Sequence, residues 1–136
     1  MDFNTSMAIA ASGLRAQSDR MKTISENIAN ANSAAATPGG DPYRRKIPSV
    51  TTTFDRELNA NMVSAGKPIA DQSDFRSQYD PGNPMADTKG YVKMPNVNSL
   101  IEIMDMREAQ RSYEADLSVM EASKTMMTRT VDLLKK

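Results

Sequence analysis

The chain contains no cysteine, no histidine and no tryptophan among its 136 residues. The absence of cysteine excludes disulfides and thiolate metal sites, and the absence of histidine removes the commonest metal ligand. Large rings are scarce as well, because only three Phe and four Tyr are present, while eleven Met supply adaptable apolar side chains. A conventional globule with a large aromatic core is therefore not the expected outcome.

An excess of charge and a long hydrophobic run are also missing. The 17 basic and 17 acidic side chains balance, so no bulk field draws the chain onto nucleic acid or anionic lipid. Apolar runs stay well short of the roughly 18 residues that a membrane-spanning helix needs. Asp2 stands where a secretory signal carries a positive charge, and polar residues interrupt the apolar stretch at 12–15, so we expect no cleavable signal peptide.

Apolar residues at heptad spacing are present at both ends of the chain. The N-terminal stripe comprises Met7, Leu14, Met21 and Ile28, with Ala10, Ile24 and Ala31 three places further on. The C-terminal stripe comprises Met106, Tyr113, Met120, Met127 and Leu134, with Ile103, Leu117 and Val131 three places ahead. Stripes this long and narrow need a partner to cover them, which indicates assembly rather than catalysis.

These stripes predict two long helices. The first extends from about Asn4 to Ala36 and ends before Pro38 and the two glycines that follow it. The second begins after Pro95, with Asn96, Asn98 or Ser99 as its cap, and continues to the end of the chain. The chain is thereby divided into residues 1–37, 38–95 and 96–136.

The middle segment, 38–95, holds β-favouring pieces and long loops. The run 43–54 reads as a strand that Pro48 confines to a sheet edge, and the residues around Phe75 and Tyr79 and then 90–95 read as two further extended pieces. A firm turn is expected at 80–84. No structure is predicted for 55–76 as a whole, and 65–74 is expected to be poorly ordered when unbound.

Sequence patterns that would indicate a catalytic, metal, nucleic-acid or membrane site are weak. The basic run 43–46 lacks the aromatic interleaving of a nucleic-acid site, and the loop 80–90 lacks the alternating acids and final glutamate of a calcium loop. Glu102 and Asp105, interleaved with basic residues at 107 and 111, are expected on a charged outer helix face. A membrane-surface helix is disfavoured by the mixed charges. We therefore predict no catalytic, metal or cofactor site and no enzymatic activity.

Four segments carry a resemblance to a known family. They are SENIANANS at 25–33, GGDPYRRKI at 39–47, YDPGNPMADTKGYVKMPNVN at 79–98, and SLIEIMDMREAQRSYEADL at 99–117. Together they resemble the axial rod proteins of the bacterial flagellar basal body, and in particular their proximal-rod subunits. The resemblance covers nearly the whole chain and is weakest at 55–76, where little is recognised.

The resemblance implies a mainly α fold. Its N- and C-terminal helices would pair as an antiparallel coiled-coil-like inner tube domain, with a small β-rich outer segment at 38–95. It implies a structural subunit of the rod, the axial drive shaft that crosses the periplasm and transmits motor torque for motility. The subunit would leave the cell through flagellar type III export, and its implied partners are other rod subunits, the rod-to-ring adaptor, the membrane ring and the export apparatus.

Matching the positions of this chain to that family gives two sets of predicted contact residues. The assembly interface is predicted at Met7, Leu14, Met21, Ile24, Ile28, Met106, Tyr113, Leu117, Met120, Met127 and Leu134. Contacts of the outer segment are predicted at Tyr43, Arg44, Arg45, Tyr79, Pro81 and Tyr91. Self-assembly is expected to complete the folding of a subunit whose ends are loose alone. The alternative function is a soluble coiled-coil adaptor or export chaperone.

Overall fold

Two long helices flank six short strands in the part of the chain that the computed structural model describes, residues 3–135. Asp2, which entered the argument about signal peptides, lies outside this range. The elements are α1 (Phe3–Ala29), β1 (Lys46–Ile47), β2 (Val50–Asp55), β3 (Ala60–Ala65), β4 (Ile69–Ala70), β5 (Arg76–Tyr79), β6 (Tyr91–Met94) and α2 (Ser99–Leu134). The predicted fold of two long helices with a small strand-containing middle segment is confirmed.

Helix α1 is shorter than predicted, because it ends at Ala29 and not near Ala36. Asn30 ends it, since both its backbone N and its side-chain Nδ2 donate to the Glu26 carbonyl, at 3.1 and 2.8 Å. The next two bonds, from Ala31 N to the Ile28 carbonyl and from Ser33 N to the Asn30 carbonyl, each span only three residues and belong to a turn. Asparagine side chains compete with the helix for backbone groups, and this stretch is rich in them.

Helix α2 begins where one of the predicted cap residues satisfies its first free amides. The Asn98 Oδ1 accepts from the backbone N of Leu100 at 3.1 Å and of Ile101 at 3.5 Å. Asn96, another candidate, instead lies in hydrogen bonds with the middle segment. Neither of the described helices has a stretch apolar enough to cross a membrane.

The strands form three two-stranded antiparallel sheets, with pairs β1–β4, β2–β3 and β5–β6. Strands β5 and β6 fall within the predicted extended pieces. The predicted strand at 43–54 is wrong as a single element, because Pro48 lacks an amide donor and separates β1 from β2, which pair in different sheets. Strands β3 and β4 lie where no structure was predicted, and β4 lies within the stretch expected to be poorly ordered.

The chain divides into two compact units. Unit 1 comprises 3–21, 49–67 and 107–135, and unit 2 comprises 22–48 and 68–106. Each unit therefore draws on all three predicted segments. The hairpin β2–β3 belongs to unit 1, and the other two sheets belong to unit 2.

The interiors of both units are built from few and mostly small side chains. In unit 1 the buried residues are Ala10, Ser12, Ala16, Ala109 and Ser123. In unit 2 the largest fully buried side chains include Ile24, Val97, Asn27 and Glu102. Most large apolar side chains of α2 remain outside these interiors. Burial in the single chain thus uses only part of the hydrophobic surface that the sequence provides.

Candidate assembly surfaces

Helices α1 and α2 run antiparallel in unit 1. Gly13 lies beside the later residue Asp116, whereas Arg20 lies beside the earlier residue Glu108, with 3.6 Å between Arg20 Nη2 and Glu108 Oε2. A Cβ on Gly13 would lie 2.6 Å from Asp116 Oδ2, so glycine allows the carboxylate to approach the α1 backbone. The Glu108 side chain is mostly exposed, so its ion pair with Arg20 contributes little.

Ser12 joins the β2–β3 hairpin to α1. Its hydroxyl donates to the Ile9 carbonyl at 2.7 Å and accepts from the backbone N of Val63, in β3, at 3.2 Å. The outward-facing amide of an edge strand is thereby satisfied by a buried side chain of the helix. One hydroxyl therefore fixes where the hairpin lies on α1.

Asn27 is the centre of a polar cluster in unit 2. Its Nδ2 donates to Glu102 Oε2 at 3.0 Å and to the Lys46 carbonyl at 2.8 Å. Its Oδ1 accepts from the Tyr43 hydroxyl at 2.8 Å and from the Lys46 backbone N at 2.9 Å. Both donors and both acceptor positions of the amide are used, so this buried group is fully satisfied. It connects α1, α2 and β1.

Arg45 continues the cluster towards α2 and the middle segment. Its Nε donates to Glu102 Oε1, while Nη1 lies 3.3 Å from Asp71 Oδ2 and Nη2 lies 3.7 Å from Asp105 Oδ2. Partial burial disfavours the guanidinium charge, but the hydrogen bonds and charges of Glu102 and Asp71 outweigh this effect and raise the pKa of Arg45. The buried Glu102 is thus paired, contrary to the predicted outer face.

Asp71 and Arg44 fix the loop that follows β4. The hydrogen bonds that Ser73 donates to the Asp71 carboxylate, together with the nearby Arg45, lower the pKa of Asp71. Arg44 Nη1 donates to the carbonyls of Asp71 and Ser73, at 2.8 and 3.1 Å. Its guanidinium carbon lies 4.2 Å from the centre of the Phe75 ring, a cation–π contact. Two adjacent arginines therefore order a stretch that carries little regular structure.

An eleven-residue loop, 80–90, connects β5 to β6, and hydrogen bonds close its turns. The Asp87 Oδ1 accepts from the backbone N of Tyr91 at 2.9 Å and of Lys89 at 2.8 Å, and these bonds lower the pKa of Asp87. Gly90 adopts φ of 81°, in the left-handed region. The rings of Tyr79 and Tyr91 meet edge to face, with centroids 5.2 Å apart. The firm turn predicted at 80–84 is present, with the Asn83 backbone N donating to the Asp80 carbonyl at 3.1 Å.

The large apolar residues of α2 that remain exposed form the most extended surface feature. They are Leu100, Ile101, Ile103, Met104, Leu117, Val119, Met126, Val131, Leu133 and Leu134. Leu100 is 68% exposed and Leu134 is 82% exposed. Isolated exposed apolar residues are ordinary on proteins, but one helix carrying ten of them is typical of an interaction surface.

The residues predicted for the assembly interface fall into two groups. Met7, Leu14, Met21 and Ile28 in α1 and Met106, Tyr113, Met120 and Met127 in α2 are half-buried, and Ile24 is fully buried. Leu117 and Leu134 are exposed. The first group therefore lies at or near the interior of the subunit, and the second lies on its surface.

The residues predicted for outer-segment contacts also separate. Tyr43, Arg44 and Arg45 are half-buried and already engaged inside unit 2. Tyr79, Pro81 and Tyr91 are exposed.

Sequence reasoning missed the polar residues of the helix seam, namely Ser12, Asn27, Glu102 and Asp116. One signal was available, because Glu102, Ala109, Asp116 and Ser123 recur every seven residues and lie one place before the column Ile103, Leu117 and Val131. Gly13, Arg20 and Asn27 recur in the same way in α1. The prediction followed large apolar residues and therefore selected the neighbouring column, whose members Ile103, Leu117 and Val131 are exposed.

Comparisons with known proteins identify the class of the chain. A family profile described as "Flagella basal body rod protein" matches residues 7–36, and one described as "Flagellar basal body rod FlgEFG protein C-terminal" matches residues 88–133. The two matches cover much of α1 and most of α2. They define a structural subunit of the flagellar basal-body rod.

Relatives extend the match over nearly the whole chain. The flagellar basal-body rod protein FlgC of Agrobacterium fabrum is 53% identical over 127 residues, covering 93% of this chain and 91% of that protein. FlgC of Escherichia coli O6:H1 is 40% identical, with 92% of each chain covered, and FlgC of Bacillus subtilis is 37% identical, covering 96% of this chain and 97% of that protein. The chain belongs to the FlgC-like proximal-rod proteins, as the resemblance predicted, and it assembles with other flagellar basal-body components.

Proposed function

We propose that this rod subunit enters the axial drive shaft by helix packing, with the exposed apolar side chains of α2 as its main contacts with neighbours. The observation that carries the proposal is the exposure of ten large apolar side chains along α2. Neighbouring helices that cover them would remove this surface from water and stabilise the assembly.

The difference in burial among the predicted interface residues supports this proposal. In α2, Met106, Tyr113, Met120 and Met127 are half-buried, and in α1 Met7, Leu14, Met21 and Ile28 are half-buried and Ile24 is buried, so we assign them to the interior of the subunit. Leu117 and Leu134 would contact neighbours, as would Tyr79, Pro81 and Tyr91 of the outer segment. A seam of adaptable methionines suits a subunit that meets several non-identical neighbours.

The finer assignments are part of the same proposal. The rod lies in the periplasm and transmits torque, the subunit leaves the cell through flagellar type III export without a cleaved signal, and it acts without catalysis. Its partners would be other rod subunits, the rod-to-ring adaptor, the membrane ring and the export apparatus. The division into inner-tube helices at 1–37 and 96–136 with an outer segment at 38–95 belongs to this arrangement.

The test is replacement of a seam residue by a charge in the full chain. Leu14→Asp and Met120→Asp bury a carboxylate without a partner, so we expect the chain to be missing from purified basal bodies and swimming in soft agar to be lost. Ser18→Asp, on an exposed position of α1, is the matched control and should swim normally. Normal basal bodies and swimming in both seam variants would refute the assigned seam.

Fractionation addresses the alternative function. A soluble adaptor or export chaperone would remain in the cytoplasm, whereas a rod subunit is recovered in purified basal bodies. The comparisons do not favour the chaperone.

A further inference from the structure

An open groove of about 450 Å³ lies in unit 1 between α1, α2 and the β2–β3 hairpin. Its apolar walls come from Ile9, Ala10 and Ala16 of α1, Val63 of β3 and Val119 of α2. Its volume falls in the range of roughly 300–1,000 Å³ that is usual for pockets that hold a ligand. Val119 is 51% exposed, so the groove is continuous with the apolar side chains of α2 that would contact neighbours.

Two hydrogen-bond acceptors line this groove without a donor. Asp116, half-buried beside Gly13, makes no hydrogen bond or ion pair with any residue in the described range. The Gln17 Oε1 is buried and has no hydrogen-bond partner among the described residues. A wholly apolar segment over the groove would leave both acceptors unpaired and away from water, which is strongly unfavourable for a carboxylate. The occupant must therefore carry a donor, and a cation suits Asp116 best.

The placement of the two acceptors favours an arginine as that cation. Gln17 lies one turn of α1, roughly 6 Å, beyond Gly13, and Asp116 lies against Gly13. A guanidinium carries five N–H donors in a rigid fork, so it can donate to the Asp116 carboxylate and to Gln17 Oε1 at the same time. A lysine ammonium places all its donors on a single nitrogen and fits two separated acceptors less well.

We propose that this groove receives an arginine of a different basal-body component, with apolar side chains of that partner against the groove walls. The inference rests on the proposed function, because it names the chemistry of one contact within the rod. The chain assembles with other flagellar basal-body components. An arginine flanked by apolar residues on such a neighbour satisfies both acceptors and at the same time covers the walls.

Photo-cross-linking of the full chain in cells identifies the occupant. A benzoylphenylalanine in place of Val119 lines the groove and, on irradiation, links to the segment that lies there. We expect mass spectrometry of purified basal bodies to find the link in one different component, at a segment with an arginine within roughly one helical turn of the linked residue. The matched control carries the photoreactive residue in place of the exposed Glu114, outside the groove, and should not link to that segment.

Gln17→Leu separates a role in the contact from a role in folding. Leucine removes a buried acceptor that has no donor in the free chain, so the midpoint of urea unfolding should stay unchanged or rise. The same change removes a hydrogen bond to the partner's arginine, so swimming diameter should fall by roughly twofold or more. A residue needed only for folding would lower both quantities. Gln110→Leu, at an exposed position of α2, is the matched control and should change neither.

Charge changes at Asp116 test the ion pair. Asp116→Asn removes the charge with little change in side-chain size, and swimming diameter should fall by roughly threefold or more. Asp116→Arg places like charges together and should swim no better. Replacement of the linked arginine by aspartate in the partner restores opposite charges, and together with Asp116→Arg it should regain at least half of the wild-type diameter. Glu114→Arg, at an exposed position of the same helix, is the control and should swim normally.

Three results would overturn the inference. The first is a cross-link from position 119 to a second copy of this chain or to a segment without an arginine, or no cross-link at all. The second is wild-type swimming of both Gln17→Leu and Asp116→Asn, and the third is failure of the partner's charge reversal to improve swimming of Asp116→Arg. Absence of the unmodified chain from purified basal bodies would instead refute the proposed function, so the two failures are distinguishable.

Discussion

Asn27 and Glu102 lie 75 positions apart in the sequence, yet their side chains share a hydrogen bond of 3.0 Å inside unit 2. Neither side chain is exposed to solvent. The bond joins α1 to α2, and the other groups of the same amide hold β1 against both helices. The polar cluster therefore fixes where β1 lies against the two helices in unit 2.

Replacement of Asn27 by Leu should destabilise unit 2 more than any other single amide change. Leucine leaves Glu102, Tyr43 and the Lys46 backbone without their partner, and we expect a loss of about 3 kcal/mol in the free energy of unfolding. Urea unfolding of the purified chain, followed by far-UV circular dichroism, measures it. Asn32→Leu, at an exposed position, should change stability by less than about 0.5 kcal/mol. Equal midpoints for the two variants would contradict the assigned role of Asn27.

The pair Arg45–Glu102 should behave as a coupled unit. Glu102→Leu leaves the Arg45 guanidinium without its main partner, and Arg45→Met leaves a fully buried carboxylate, so each should cost about 3–5 kcal/mol. The double variant should cost less than the two together, with a coupling energy of about 1–3 kcal/mol. A double-mutant cycle by urea unfolding determines this value. Strict additivity would show that the two side chains act independently.

Acid should weaken the β5–β6 turn through Asp87. Because its pKa in the folded chain lies below the ordinary value of 3.8, Asp87 contributes stability that is complete above pH 3.8. That contribution is lost as the pH falls through the lowered folded value. Asp87→Asn should therefore flatten the dependence of unfolding free energy on pH below about 5. An unchanged slope in Asp87→Asn would contradict this role of Asp87.

A side chain at position 90 in place of Gly90 should lower the free energy of unfolding. Its φ of 81° strains any L-residue, and a Cβ would lie 3.0 Å from Tyr79 Cε2 and 3.1 Å from Pro81 Cβ. We expect Gly90→Ala to cost about 1–3 kcal/mol in thermal or urea unfolding. Gly82→Ala, in the same turn region but with no atom closer than 3.8 Å to the new Cβ, should be nearly neutral. Similar losses in both variants would argue against strain at Gly90.

Much of the fold could be predicted because its signals are local. Heptad spacing locates both helices, Asn98 caps α2, and turn residues mark 80–84. Strands β3 and β4 lie outside the predicted extended pieces. Their partners, β2 and β1, contain no sequence signal that identifies the strand with which they pair. The β2–β3 hairpin is local, but β4 pairs with β1 more than twenty residues earlier, and a periodicity in one segment does not report such a distant contact.

The assembly surfaces were harder to predict because the helix seam does not follow the usual rule that apolar residues are buried and acidic residues are exposed. The half-buried column Met106, Tyr113, Met120 and Met127 was found from its apolar character. The neighbouring column begins with Glu102. In the sequence Glu102 resembles a surface acid, and only the structure shows that Asn27 and Arg45 surround it. A buried charge is recognisable only from its partners, and these lie in other parts of the chain.

The satisfied amide of Asn27 has a mechanical consequence for a shaft component. If α2 slid along α1 by one heptad, the Glu102 carboxylate would leave both Asn27 and Arg45 and be buried without a counter-ion, at a cost of several kcal/mol. A seam of interchangeable apolar residues would offer no such penalty to axial slippage. The polar cluster therefore resists sliding of α2 along α1 and holds the two helices at one fixed axial offset under load.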